Sequence, residues 1–231
     1  MGILLKIKIP SDELHRRLGG GIPAGSILLV EGDRGTGKSI LCQRLLYGFL
    51  KNGHSVTYIS SQYTTPEFIN QMEALNYDII RDLIKRRLQF VSLYPLLVNV
   101  SERKKFLSRL VSEPRIWKTE VVVIDTISSL LPRELNEGDV KSLSSHLKRL
   151  SSIGKVVTLT VNPDEMNGRV LNVLEEISSI LIRLNVKTFG GDLKNSATVV
   201  KYNNAQGVFQ KIIPFRVEPG VGFIVEIASV V

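Results

Sequence analysis

The chain has 231 residues, 43% hydrophobic and 23% charged, a composition that allows a full-sized core and excludes disorder throughout. The single cysteine, Cys42, excludes an internal disulfide and a cysteine-built metal cluster, and its apolar neighbours indicate a thiol packed in the core. The formal charge of +8 favours anionic partners in general, and no run approaches the roughly 18 apolar residues of a membrane span.

Short segments rich in β-branched residues alternate with amphipathic segments along the first two thirds of the chain. The predicted strands are residues 26–32, 55–60, 88–94, 120–126 and 155–162. The predicted helices are residues 37–51, 66–75, 101–112 and 137–153. Strands and helices in alternation predict an α/β fold with a mostly parallel central sheet flanked by helices.

Beyond residue 175 the apolar segments are separated by Gly, Asn and Pro. The segments SSILIRLNV, ATVVKYN, QKIIPFRVE and GFIVEIA predict antiparallel C-terminal strands that extend one edge of the same sheet. We therefore expect a single domain over residues 1–231. Residues 184–197 are the most loop-like stretch of the chain, and we expect a functional loop there.

A glycine-rich segment, residues 32–39, lies between the first predicted strand and the first predicted helix and matches G-x-x-x-x-G-K-[ST]. Glycines let several backbone N–H groups converge on one phosphate, and the helix directs its positive end at the same oxygens. We expect Lys38 to contact the β- and γ-phosphates and the Ser39 hydroxyl to ligate Mg²⁺. The predicted nucleotide-binding residues are Gly32, Asp33, Arg34, Gly35, Thr36, Gly37, Lys38 and Ser39.

A second predicted strand, VVVIDT, carries Asp125 at its carboxyl end. Such an acid meets the same crevice as the phosphate loop, where we expect it to hold Mg²⁺ through water. No Asn/Thr-Lys-x-Asp segment of the guanine-specific type occurs, so the expected nucleotide is ATP. The three histidines, His15, His54 and His146, lack metal-ligand spacing, and we expect no metal site there.

Several of these segments carry a resemblance to known ATPases. HRRLGGGIPAGSILLVEGDRGTGKS, VVVIDTISSLL and KVVTLTVNP resemble the entry, the Mg²⁺ strand and the sensor strand of RecA-type ATPases of the KaiC and RadA group. YISSQYTTPEFINQM, FGGDLKN and FRVEPGVGFIVEIASV resemble one branch, the FlaH (ArlH) family of accessory ATP-binding proteins of the archaeal flagellum, or archaellum. The resemblance covers nearly the whole chain and implies a RecA-like P-loop NTPase fold.

The resemblance also implies weak or absent ATPase activity. The KaiC and RadA group has a catalytic glutamate just after the second strand, where this chain has Gln62, and an amide can orient water but is a poor base. Glu31 is a minor alternative, while Glu67 fits a charge at a helix start. Lys201 falls where the KaiC pattern has a lysine that acts on the site of a neighbouring subunit. Lys201 either has that role or is an ordinary lysine at a strand edge. Asn203 stands where that pattern has an arginine.

Two further residues at a strand end have two interpretations. Thr160 and Asn162 lie where a γ-phosphate sensor would sit, or they make ordinary strand-end hydrogen bonds.

By resemblance, the expected partners are the hexameric motor ATPase of the archaellum, its membrane platform protein and its cytoplasmic scaffold protein. The same resemblance implies a homo-oligomeric ring, in the cytoplasm or at the inner face of the cell membrane. One alternative is an active RecA-like ATPase in which Gln62 or Glu31 suffices. The other is a RadA-like DNA-binding recombinase paralogue, but no aromatic and basic loop supports nucleic-acid binding, which we do not expect.

Overall fold

The computed structural model describes residues 2–94, 100–189 and 192–226. The strands are β1 Leu4–Lys6, β2 Gly21–Pro23, β3 Ile27–Glu31, β4 Val56–Ser60, β5 Leu88–Ser92, β6 Val121–Asp125, β7 Val156–Val161, β8 Ile180–Phe189, β9 Asp192–Tyr202, β10 Ile212–Glu218 and β11 Gly222–Val225. The α-helices are α1 Leu14–Arg17, α2 Lys38–Lys51, α3 Thr65–Ala74, α4 Ile80–Ile84, α5 Val100–Ser112, α6 Ile127–Leu130, α7 Glu137–Ser152 and α8 Gly168–Ile177. Two short 3₁₀ helices are Pro114–Trp117 and Pro163–Glu165.

Nine of the strands form one sheet in the order β11-β10-β9-β8-β3-β7-β6-β4-β5, while β1 and β2 pair separately. The six strands from β8 to β5 in this order are parallel. The remaining three, β9, β10 and β11, continue the sheet in antiparallel pairs. This arrangement confirms the predicted mostly parallel sheet with antiparallel C-terminal strands.

Helices cover both faces of the sheet. Successive strand residues point to opposite sides, so a strand that is buried throughout, such as β3, contributes to a core on each face. In β3, Leu28 and Val30 belong to the core beneath α2 and α3. Ile27 and Leu29 belong to the core beneath α5, α6, α7 and α8. No helix among the described residues has the length and apolarity needed to cross a membrane.

One expectation about the C-terminal third is wrong. Residues 184–197 are strand rather than loop, since they belong to the long strands β8 and β9 wherever the structure describes them. Their polar side chains alternate with inward-facing ones such as Leu184 and Ala197, both buried, so the composition resembles a loop while the period is that of a strand. Strand β8 pairs antiparallel with β9, as expected, and in parallel with β3 on its other side. Gly190, Gly191 and the tail after residue 226, which contribute to the family resemblance, lie outside the described residues.

Several short elements and one longer helix had no sequence-based prediction. The longer one, α8, begins after Asn167, whose side chain accepts a hydrogen bond from the Arg169 backbone N–H. Val170 and Leu174 then form a buried stripe four residues apart. An N-cap followed by this spacing is a signal that could have predicted the helix.

The N-terminal segment is fixed to both α2 and the C-terminal strands. Arg44 of α2 and Asp12 form a fully buried ion pair. Within it the Arg44 Nη2 donates to Asp12 Oδ1 at 2.7 Å. The Tyr202 hydroxyl of β9 donates to the carbonyls of Leu18 and Gly21, and Leu18 forms a β-bridge with Phe209. The first and last parts of the described chain therefore pack together.

Candidate functional site

The loop between β3 and α2 has the backbone shape that its glycines predict. Gly35 and Gly37 have φ of 81° and 92°, in the left-handed region that favours glycine. A Cβ on Gly32 would lie 2.5 Å from the Thr36 Oγ1, so only glycine fits this close approach. Helix α2 begins directly after Gly37 without a side-chain cap. The N–H groups at this helix start are therefore available to an anion.

Lys38, the first residue of α2, is folded back into this loop. Its side chain is buried, and its Nζ donates to the carbonyls of Gly32 and Asp33, at 2.6 Å each. Burial lowers the pKa of Lys38, while the nearby carboxylates, Asp125 first, act in the opposite direction. The loop thus holds a largely desolvated cation whose partners are neutral carbonyl oxygens.

Asp125, fully buried at the end of β6, lies at the centre of a hydroxyl network. Its Oδ1 accepts hydrogen bonds from Ser39 at 3.1 Å, Thr160 at 2.9 Å and Thr126 at 3.1 Å. Its Oδ2 accepts one from the Tyr58 hydroxyl at 2.7 Å. The structure therefore brings the predicted pair of metal ligands, Ser39 and Asp125, into direct contact, with both carboxylate oxygens satisfied.

A cavity of about 660 Å³ opens in front of the loop. Lys38 and Ser39 form one side of it, and Gln62 and Asn162 also line it. The backbone N–H of Gln62 donates to the Ser60 Oγ at 3.1 Å, and the Gln62 side chain is exposed. The cavity lies at the carboxyl ends of four adjacent strands, in the order β3, β7, β6 and β4. Residues that follow these strands therefore converge on it although they are far apart in the sequence.

Two candidate catalytic residues, Glu31 and Lys201, do not line this cavity. Glu31 is buried at the end of β3, where its carboxylate accepts a hydrogen bond from the Arg183 Nε at 2.7 Å. Burial raises the pKa of Glu31, and the bond from Arg183 offsets this only in part. Lys201 on β9 donates to the backbone carbonyls of Glu175 and Glu176 near the end of α8, at 3.4 and 3.2 Å.

Glu165, in the 3₁₀ helix after β7, is a cavity residue that the sequence reasoning missed. Its Oε1 accepts two hydrogen bonds from the phosphate-loop Arg34, from Nη2 at 2.6 Å and Nε at 2.9 Å. Burial alone would raise the pKa of Glu165, but hydrogen bonds from Arg34 and Asn162 bring it below its ordinary value. Glu165 is the acidic side chain that lines this cavity in the described structure. The sequence feature that could have predicted Glu165 is its position just after TVNP, at the end of β7, the strand beside β3.

A mostly parallel sheet of this order, with a glycine-rich loop between β3 and α2, defines a RecA-type P-loop protein. Residues 6–228 match the family model described as the KaiC ATPase. The chain is 45% identical to the archaeal flagellar ATP-binding protein FlaH of Methanocaldococcus jannaschii over 232 residues, covering 100% of both. The chain therefore belongs to the FlaH family, a branch of the KaiC-type ATPases.

Solved structures agree with this assignment. The crystal structure of the flagellar accessory protein FlaH from M. jannaschii superposes with a TM-score of 0.90 at 44% identity, covering 98% of this chain and 100% of that one. A KaiC-like protein from Pyrococcus horikoshii superposes with a TM-score of 0.76 at 19% identity, with 98% and 100% coverage, which shows the shared fold alone.

Proposed function

We propose that the chain binds Mg-ATP and acts as a nucleotide-responsive regulatory component of the archaellum motor, with slow or no hydrolysis. The observation that carries this proposal is the cavity at the phosphate loop. Its lining includes the buried Lys38 and Ser39, which donates to Asp125. It also includes an amide, Gln62, where the KaiC and RadA group has its catalytic glutamate. Membership of the FlaH family supports ATP as the nucleotide, because the relatives that share the whole chain are named ATP-binding proteins.

The side chains around the loop fit a magnesium-bound triphosphate. The uncapped start of α2 offers N–H donors, and Lys38 can exchange its two carbonyl partners for phosphate oxygens. Ser39 and Asp125 present the hard oxygen ligands that Mg²⁺ prefers. When bound, the metal neutralises negative charge on the phosphates.

Three carboxylates in or near the cavity have partners, which supports slow hydrolysis. Glu165 is bound by Arg34, and Asp125 accepts four hydroxyl hydrogen bonds. Glu31 is bound by Arg183 outside the cavity lining. Gln62 remains as the residue that orients water, and without a base the bound triphosphate persists long enough to serve as a signal.

In this proposal the ATP-bound state is recognised by the motor's hexameric ATPase, its membrane platform protein and its cytoplasmic scaffold protein. The protein works in the cytoplasm or at the inner face of the cell membrane. It forms a ring of identical subunits in which Lys201 approaches the cavity of a neighbour. Lys201 would then leave the carbonyls of Glu175 and Glu176 that it contacts within its own chain.

Replacing Gln62 with glutamate is expected to increase ATP turnover at least about tenfold, because a positioned general base typically contributes 10² or more. Affinity for ATP should change less than the rate, since the phosphate loop is untouched. Steady-state phosphate release, measured beside equilibrium ATP binding on the same preparations with Mg²⁺, provides the comparison.

Two matched variants accompany this measurement. Gln62→Ala removes the amide without adding a base and should leave turnover low, and Glu31→Gln should also leave it unchanged. Rapid turnover by the wild type, lost in either control, would show that the protein is an active ATPase. Salt-dependent binding of single-stranded DNA would instead favour a RadA-like recombinase.

A further inference from the structure

Helix α5 places one arginine on its buried side. Phe106, Leu107 and Leu110 are buried against the sheet. Arg103 precedes the first two by three and four positions, so it lies on the same inward face of the helix. Arg109 and its other basic neighbours on the helix are exposed. Arg103 is therefore the basic residue of this helix that continues the apolar stripe towards the carboxyl ends of the strands.

The Arg103 side chain lines the cavity in front of the phosphate loop, together with Gln62 and Tyr94. Its Nε is buried and has no hydrogen-bond partner among the described residues. None of the ion pairs found in the described ranges includes it. A guanidinium with a buried, unpaired donor is costly, and a bound anion would offset that cost.

Three cations line the cavity in the described structure, and they differ in their partners. Arg34 is paired with Glu165, the acid of the lining. Lys38 donates to two loop carbonyls. Arg103 thus supplies positive charge that no side chain in the cavity neutralises.

The order of the strand ends indicates which part of a ligand Arg103 faces. The phosphate loop follows β3, Asp125 ends β6, Gln62 follows β4 and Tyr94 follows β5, the edge strand next to β4. A group held by Lys38 that extends past Asp125 towards Gln62 therefore extends towards the wall that carries Arg103. In a nucleotide bound by its phosphates, this is the terminal phosphate.

We propose that Arg103 is a specificity-determining residue that contacts the terminal phosphate of the bound nucleotide from within the same chain and so distinguishes ATP from ADP. The inference rests on the proposed function. A planar guanidinium matches phosphate oxygens with two parallel hydrogen bonds, and an arginine supplied in the same chain stabilises the charge of a γ-phosphate in other nucleotide-binding proteins. Such a contact ties α5 to the nucleotide state.

The test compares the affinities of a non-hydrolysable ATP analogue and of ADP, with Mg²⁺, by calorimetric titration. Arg103→Ala is expected to weaken the ATP analogue at least about tenfold while ADP changes less than about twofold, because charge-assisted bonds to one phosphate are lost. Arg103→Lys should bind the ATP analogue with an affinity between those of the wild type and Arg103→Ala, since lysine keeps the positive charge but lacks the two parallel donors of the guanidinium. Arg109→Ala, the matched control on the same helix, should leave both affinities unchanged.

An unchanged ratio of the two affinities in Arg103→Ala, with both weakened equally or neither weakened, overturns the proposal. If thermal unfolding shows that the alanine variant does not fold, the same ratio of affinities for the ATP analogue and for ADP is measured on Arg103→Gln instead. A wild-type protein that binds neither nucleotide, or binds them independently of Lys38, overturns the proposed function as well. Lys38-dependent binding with an unchanged ratio in the Arg103 variants overturns this inference alone.

Discussion

Replacing Lys38 with alanine is expected to weaken ATP binding at least about 100-fold, equivalent to about 2.7 kcal/mol. The lysine is buried within the loop, and its ammonium lies between the Gly32 and Asp33 carbonyls, where it is positioned for phosphate oxygens. Its loss removes a charge-assisted hydrogen bond from a poorly solvated site, where such bonds are strongest. Calorimetric titration with ATP and Mg²⁺ measures the effect.

The matched control is Lys51→Ala, the same substitution at the exposed end of the same helix, where Lys51 lies over the Tyr47 ring. This variant should bind ATP as the wild type does. Binding by Lys38→Ala within about threefold of wild type, less than 1 kcal/mol, would contradict the nucleotide assignment. If Lys38→Ala loses ATP but still binds the motor ATPase normally, the regulatory role is wrong and the nucleotide serves another purpose.

Replacing Asp12 with alanine is expected to lower the free energy of unfolding by about 3–5 kcal/mol, because Arg44 is left buried without a counter-charge. The Leu14 backbone N–H also loses its acceptor, the Asp12 Oδ1 at 2.8 Å. For a chain of this size each kcal/mol shifts the unfolding midpoint by about 2–4 °C, so the change should be on the order of 10 °C. Thermal and urea unfolding, followed by circular dichroism, report both quantities.

The neighbouring Glu13 provides the control. Its ion pair with Arg16 is exposed at the surface, so Glu13→Ala should cost no more than about 1 kcal/mol. A double variant, Asp12→Leu with Arg44→Met, should recover much of the stability, since apolar residues of similar size replace a buried pair well. A loss below about 1 kcal/mol for Asp12→Ala would mean that the pair contributes little to the fold.

The parts of the site that could be predicted from the sequence are those with local or strand-end signals. The phosphate loop follows from eight consecutive residues, 32–39. Ser39 and Asp125 meet because the loop that leads into α2 follows the carboxyl end of β3, and Asp125 ends β6, two places away at the same edge of the parallel sheet. Gln62 lines the cavity for the same reason.

The residues that could not be predicted depend on tertiary packing. Arg103 reaches the cavity from a helix whose position is set by its apolar stripe against the sheet, not by any motif. The Asp12–Arg44 pair joins positions 32 apart and has no local pattern. Residues 184–197 differ for another reason, because their polar composition is typical of a loop while the described residues have the period of a strand.

The position of β3 in the middle of the sheet has a consequence for biosynthesis. Both of its neighbours, β7 and β8, come much later in the chain, and Arg183 follows its partner Glu31 by 152 positions. At a translation rate of about 5–20 residues per second, roughly 8–30 s separate the emergence of these two residues from the ribosome. Until β7 and β8 have both emerged, β3 and the phosphate loop that follows it lack a full set of flanking strands. The nascent chain therefore completes its nucleotide pocket late, after most of the sequence has been made.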